Sequence, residues 1–138
     1  MILLDTVVLS ELRKRKPNAY VLNYLASQSP ETVFLSALTI GEIEAGIERQ
    51  RRHDAQFAAD LEQWLVKLEV QFADCILPVT SAIAKLWGRL CVQSDNKGVD
   101  NLIAATALCH NLTVVTRNVK HFEPTGVRVI NPFDRSDR

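Results

Sequence analysis

Four side chains in this sequence have the types and spacing to do chemistry together: Asp5, Glu42, Asp100 and Asn118. Asp5 directly follows the apolar run Ile2-Leu3-Leu4, which reads as a strand covered on both faces. Glu42 lies in the first turn of a helix expected to open at Thr39, just beyond the strand-like run Val33-Phe34-Leu35. Asn118 stands one residue beyond the β-branched run Thr113-Val114-Val115-Thr116, and Asp100 starts the alanine-rich helix leading into that run. Ligands of an open parallel sheet collect at the carboxyl ends of its strands. A helix between parallel strands runs back from that edge, so Asp100 joins the others only if its helix begins there. Converging, the four would set three negative charges and an amide side by side. Such repulsion is relieved by a hard divalent cation, and Mg2+ or Mn2+ suits carboxylate and amide oxygens. A cation held this way can activate a water and steady a phosphoryl oxygen.

Each residue also has a simpler reading. Asp5 could cap a helix beginning near Val7. Glu42 could serve only a capping box with Thr39, Asp100 could be a plain N-cap, and Asn118 could stabilise a turn. Competing chemistries have weaker signals. His53, His110 and His121 lack any H-E-x-x-H or triad-like setting, so surface or helix-end places are expected for them. Gly41 and Gly46 have P-loop spacing, but Ile47 stands where a lysine is required, and no G-x-G-x-x-G occurs. Cys75, Cys91 and Cys109 show no C-x-x-C spacing and read as free thiols in a reducing compartment.

The elements that must position these residues alternate. Helices are expected over Val7 to Lys14, Asn18 to Ala26, from Thr39, over Phe57 to Phe72, Ile83 to Leu90 and Asp100 to Cys109. Between them fall Ile76-Leu77 and, near the end, the strand Val127 to Ile130. That alternation argues for an α/β domain with a mostly parallel sheet. At 138 residues the chain is one domain, expected over 1–133 with a polar tail at 134–138. Hydrophobic residues at 47% can fill a core, and 16 basic against 16 acidic side chains disfavour both disorder and a uniformly basic nucleic-acid binder. No apolar run approaches the roughly 20 residues of a membrane helix, and the N-terminus lacks a basic n-region, so a cytoplasmic, membrane-free protein is expected. Two local basic clusters stand out, Arg13-Lys14-Arg15-Lys16 and Arg49, Arg51 and Arg52. They read either as solvated helix ends or as grips for an RNA backbone beside an acidic site.

The motifs resemble a known family. Ile2-Leu3-Leu4-Asp5-Thr6 with Leu9-Ser10-Glu11 is similar to the opening motif of PIN-domain proteins. Leu35-Ser36-Ala37 through Thr39-Ile40-Gly41-Glu42-Ile43 resembles the second motif, Asp100 with Leu102 to Ala107 the third, and Thr113 to Asn118 with His121-Phe122 the fourth. Val129 to Phe133 resembles the usual ending. Together they point to the VapC/FitB-like toxins of bacterial toxin–antitoxin pairs. The resemblance implies a three-layer α/β/α sandwich around a central, mostly parallel sheet. It implies an Mg2+- or Mn2+-dependent endoribonuclease acting on cellular RNA, often tRNA or rRNA, as a homodimer silenced by a small VapB-type antitoxin. Asp5, Glu42 and Asp100 would be its acidic triad and metal ligands, Asn118 its fourth catalytic position, and Thr6 and Thr116 supports behind them. Two departures are visible: Val7 replaces the family's usual Asn, and the stretch Ser94 to Val99 is a few residues short. They keep open the alternative of an attenuated or silent module acting through antitoxin or RNA binding.

Overall fold

The computed structural model describes residues 1–94 and 98–133. The expected tail at 134–138, and the middle of the short stretch before Asp100, lie outside the described residues. Among the described residues, five parallel strands form one sheet: β1 (Ile2–Leu4), β2 (Val33–Ser36), β3 (Ile76–Leu77), β4 (Thr113–Val115) and β5 (Val129–Ile130), in the order β3-β2-β1-β4-β5. The helices are α1 (Thr6–Leu12), α2 (Ala19–Ala26), α3 (Ala37–Arg51), α4 (Ala55–Gln71), α5 (Ser81–Ser94), α6 (Val99–His110) and the one-turn α7 (Val119–Phe122).

The period-two geometry of a strand sorts the apolar residues into two layers. Ile2, Leu4, Val33, Leu35 and Val115 face one side, where they pack with Val8 and Leu9 of α1, Val21 of α2, Ile43 and Ile47 of α3, and Leu61 and Leu65 of α4. Leu3 and Val114 face the other, against Ile83 and Leu90 of α5, Ile103 and Ala107 of α6, and Phe122 of α7. Each strand face meets its own helical layer, so the three-layer sandwich implied by the resemblance is the architecture observed. The uninterrupted apolar runs in β1 and β4 follow from this double coverage.

The chain moves outward from β1 through β2 to β3, then returns through α5 and α6 to lay β4 on the opposite side of β1. Strand order therefore reverses at β1, and a crevice opens there at the strands' carboxyl ends. Helix α6 runs back toward the start of β4, ending at Asn111, whose left-handed backbone (φ 55°) turns the chain into the strand.

Two element expectations are corrected. The third helix opens at Ala37 rather than at Thr39. Ser36 caps it, its Oγ accepting the Leu38 N–H at 3.0 Å. Thr39 is fully buried inside the helix, so the Thr39–Glu42 capping box does not form and Glu42 falls in the second turn. Ser36 prevails because the strand ends on it with extended backbone (φ −85°, ψ 143°), as an N-cap requires. The last strand is shorter than the expected Val127 to Ile130, because only Val129 and Ile130 pair in register with β4.

Candidate active site

Register places the first two site residues together. Leu4 of β1 is paired with Val115 of β4, so the next residues, Asp5 and Thr116, leave the sheet side by side. The Asp5 N–H continues the ladder to the Val115 carbonyl at 3.0 Å. The Thr116 hydroxyl donates to Asp5 Oδ2 at 2.7 Å, and the Thr6 N–H donates to Oδ1 at 2.8 Å. Asp5 is thus the N-cap of α1, as its simpler reading has it, and its carboxylate also stands at the β1/β4 crevice. It is only 6% exposed. Burial pushes its carboxyl above the ordinary 3.8, against the lowering effect of the hydrogen bonds from Thr116 and Thr6, and the negative charges of Asp100 and Glu42 raise it further.

Thr6 carries the network to α3. Its hydroxyl donates to Glu42 Oε1 at 2.5 Å and lies 3.3 Å from the Thr39 hydroxyl. Here the buried Thr39 finds the partner that the capping box would have supplied. Asp100 sits in the first turn of α6, behind Gly98 at the cap, so it is not a plain N-cap. Its helix begins at the required edge, and its charge is felt at Asp5. Asp100 Oδ2 lies 2.8 Å from His121 Nδ1 on α7. Asn118 meets the site through its backbone, whose N–H donates to Thr116 Oγ1 at 3.0 Å. Its exposed side chain forms no cap on α7 and lines a neighbouring cleft.

The carboxylates are hard oxygen donors suited to a divalent cation, and the repulsion registered at Asp5 is what such an ion relieves. Among the described residues, no three His, Cys, Asp or Glu side chains stand close enough to enclose an ion in their present positions. Glu42 is drawn to Thr6 and Asp100 to His121.

The basic clusters divide. Arg13 and Arg49 line a groove of about 340 Å³ that also takes in Thr6, Glu42 and Trp64. The Arg13 guanidinium rests over the Phe57 ring at 5.3 Å. Arg51 is spent on Glu62 at 2.6 Å and Glu48 at 3.1 Å, and Lys14 on Glu11 at 2.9 Å. Val7 packs its half-buried side chain into the apolar layer of α1 to α4. His121 takes the surface, helix-end place expected of it, and what that reading lacked is its contact with Asp100. Its signal is its neighbour Phe122, a bulky apolar residue beyond the end of β4. Phe122 is fully buried, and it pins α7 so that His121 meets Asp100.

Comparison with known proteins matches residues 2–125 to the PIN domain. The plasmid stability protein StbB of Pseudomonas syringae pv. tomato is 38% identical, covering 97% of this chain and 99% of its own. The VapC ribonuclease Y4jK of Sinorhizobium fredii is 33% identical over 97% of this chain and 99% of its own. Toxin FitB of Neisseria gonorrhoeae is 35% identical over 96% and 99%, and the crystal structure of FitAcB from that organism superposes with a TM-score of 0.86 at 34% identity over 96% of this chain and 99% of that one. With a match over most of its length and a parallel sheet flanked by helices in agreement with it, the chain belongs to the PIN domain family.

Proposed function

We propose that this protein is a metal-dependent endoribonuclease and the toxin of a toxin–antitoxin pair. The observation that carries the reading is the buried Asp5 carboxylate, held by Thr116 and Thr6 at the sheet's reversal point and repelled by Glu42 and Asp100. The names of the relatives, a VapC ribonuclease and a toxin, support it.

Asp5, Glu42 and Asp100 would hold Mg2+ or Mn2+, which when bound supplies an acidified water and charge stabilisation for a phosphoryl oxygen. The chain's own groups do the rest. Thr116 and Thr6 fix the Asp5 carboxylate, and Thr6 also orients Glu42. Glu42 or Asp100 helps position the attacking water. The Asn118 amide, at the rim, would donate to a phosphate oxygen. Arg13 and Arg49 offset backbone charge along the groove. A small VapB-type antitoxin would silence the site by inserting a segment beside it. A homodimer would use apolar side chains left exposed on the outer helices, such as Val66 and Val70 of α4 and Val92 of α5.

Purified protein is tested on total tRNA and on rRNA with Mg2+, with Mn2+ and with chelator, beside Asp5→Asn. Cleavage is expected only with metal, and Asp5→Asn is expected to lose about three orders of magnitude, since such metal assistance is worth several kcal/mol. Equal rates for the two proteins sink the reading. A second reading, a silent module acting through antitoxin or RNA binding, draws on the engagement of Glu42 by Thr6 and of Asp100 by His121. It requires no cleavage under any metal and no calorimetric signal for metal binding.

A further inference from the structure

We propose that the cleft formed by Arg117, Lys120, His121 and Asn131 beside Asn118 is a phosphate subsite that holds the RNA backbone next to the point of cleavage. The proposal rests on the nuclease reading of the acidic edge and extends it to where the strand lies. The cleft has a volume of about 370 Å³, and Val119 completes its lining. Every other lining side chain carries an N–H donor, and none is a carboxylate. In a chain whose charges cancel, 16 against 16, a cleft that gathers two cations and no carboxylate in its lining is a place for an anion.

Among the described residues, the two cations of the cleft stand outside the ion pairs that occupy part of the basic surface. Arg51 and Lys14 are tied up in ion pairs. Arg117 and Lys120 have no ion-pair partner among the described residues. The Arg117 guanidinium carbon lies over Phe133, 3.7 Å from the ring centroid. That cation–π contact holds the guanidinium in place, and arginine's N–H fork suits a phosphate bidentately. Glu11 senses Arg117 at a distance, but its carboxylate already accepts from Lys14 and the Asn18 N–H. His121 joins the cleft to the acids: it lines the one and meets Asp100 of the other at 2.8 Å. A phosphate seated in the cleft is therefore a neighbour of the carboxylate edge. The ligand proposed is the backbone, because two cations line the cleft with no carboxylate among them and phosphate is the group they match.

The test is binding of labelled single-stranded RNA, one U-rich and one A-rich oligonucleotide, by fluorescence anisotropy in EDTA over a range of salt. Wild type is compared with Arg117→Gln, Lys120→Gln, the double variant, Arg13→Gln/Arg49→Gln, and Lys67→Gln on the exposed face of α4 as a charge-matched control. The double variant is expected to bind on the order of tenfold more weakly on both oligonucleotides, with its log–log salt slope shallower by about 1.4, or about 0.7 per lost contact. Lys120 is exposed, so Lys120→Gln keeps the fold and must show its own share of the loss. Lys67→Gln is expected to match wild type. An unchanged slope in the double variant, a loss confined to Arg13→Gln/Arg49→Gln, or no measurable RNA binding by wild type overturns the proposal. So does calorimetric binding of inorganic phosphate that the double variant abolishes while its RNA affinity holds. Metal-dependent cleavage by wild type with unaltered RNA binding in the variants removes the subsite and leaves the nuclease. The expected binding losses without any cleavage remove the nuclease and leave the subsite.

Discussion

At Asp5, capping and burial pull protonation in opposite directions. Burial and the nearby carboxylates outweigh the two hydrogen bonds, so the folded chain holds this proton more tightly than the unfolded chain does. Between the ordinary 3.8 and the higher folded value, the native state carries more protons. Stability attributable to Asp5 therefore falls as pH rises through that window and stays lower above it. Asp5→Asn keeps an acceptor for the Thr6 N–H and removes the charge. Its melting temperature without metal is expected to exceed that of wild type at pH 7, with the advantage vanishing below about pH 3.8. A lower melting temperature at pH 7, by scanning calorimetry, would contradict this account. The same variant is the one expected to abolish cleavage, so the site would hold its charge at a cost to the fold.

At the scale of elements, helix starts and helix junctions decide where the site residues lie. Ser36 sets the first turn of α3 and thereby puts Glu42 over Thr6. Ser36→Ala is expected to cost about 1 kcal/mol in denaturant unfolding, as loss of an N-cap does. If that variant matched wild type, the cap would lie elsewhere. Glu11 ties α1 to α2: its carboxylate accepts from Lys14 at 2.9 Å and from the Asn18 N–H at 2.8 Å. The hydrogen bond from Lys14 is the main reason its carboxyl lies below the ordinary 4.5, with the Asn18 N–H next. A depressed acid contributes stability above its unfolded value and loses it as pH falls through its folded one. Glu11→Gln is therefore expected to destabilise by about 1 to 3 kcal/mol at pH 7, with the gap to wild type narrowing below about pH 4.5. A gap independent of pH would mean that shape, not charge, holds the junction.

For the molecule as a whole, the sheet is a partition with an apolar layer on each side, and the site lies where the chain changes direction across it. Phe122 completes the α5–α6–α7 layer and is fully buried. It also anchors the single turn that carries Lys120 and His121 to the acidic edge. Phe122→Ala is expected to cost about 3 to 5 kcal/mol, the range for deleting a buried aromatic ring. It should also weaken RNA binding more than an equally destabilising truncation in the other layer, such as Ile47→Ala. Equal binding by the two variants at a temperature where both are folded would dissociate α7 from the substrate.

Much of this was legible in the residues. The apolar runs at 2–4 and 113–116 mark strands because chains covered on both faces need no polar alternation. Asp5, Glu42, Asp100 and Asn118 declare themselves by standing at the ends of such runs or on the helices joined to them. What sequence could not supply was the outcome of local competitions and long-range meetings. Thr39 reads as the cap by its spacing to Glu42, and only the end of β2 at Ser36 moves the helix start. Asp5 and Thr116 are 111 residues apart, and their 2.7 Å bond exists because β4 crosses to the far side of β1. His121 gains its place by Asp100 through the burial of Phe122, a contact between helices that no spacing within the chain encodes. Local patterns determine which elements form because they depend on nearest neighbours and periodicity. Which of their ends meet depends on how both faces of the sheet are covered, and that is settled only when the whole chain has packed.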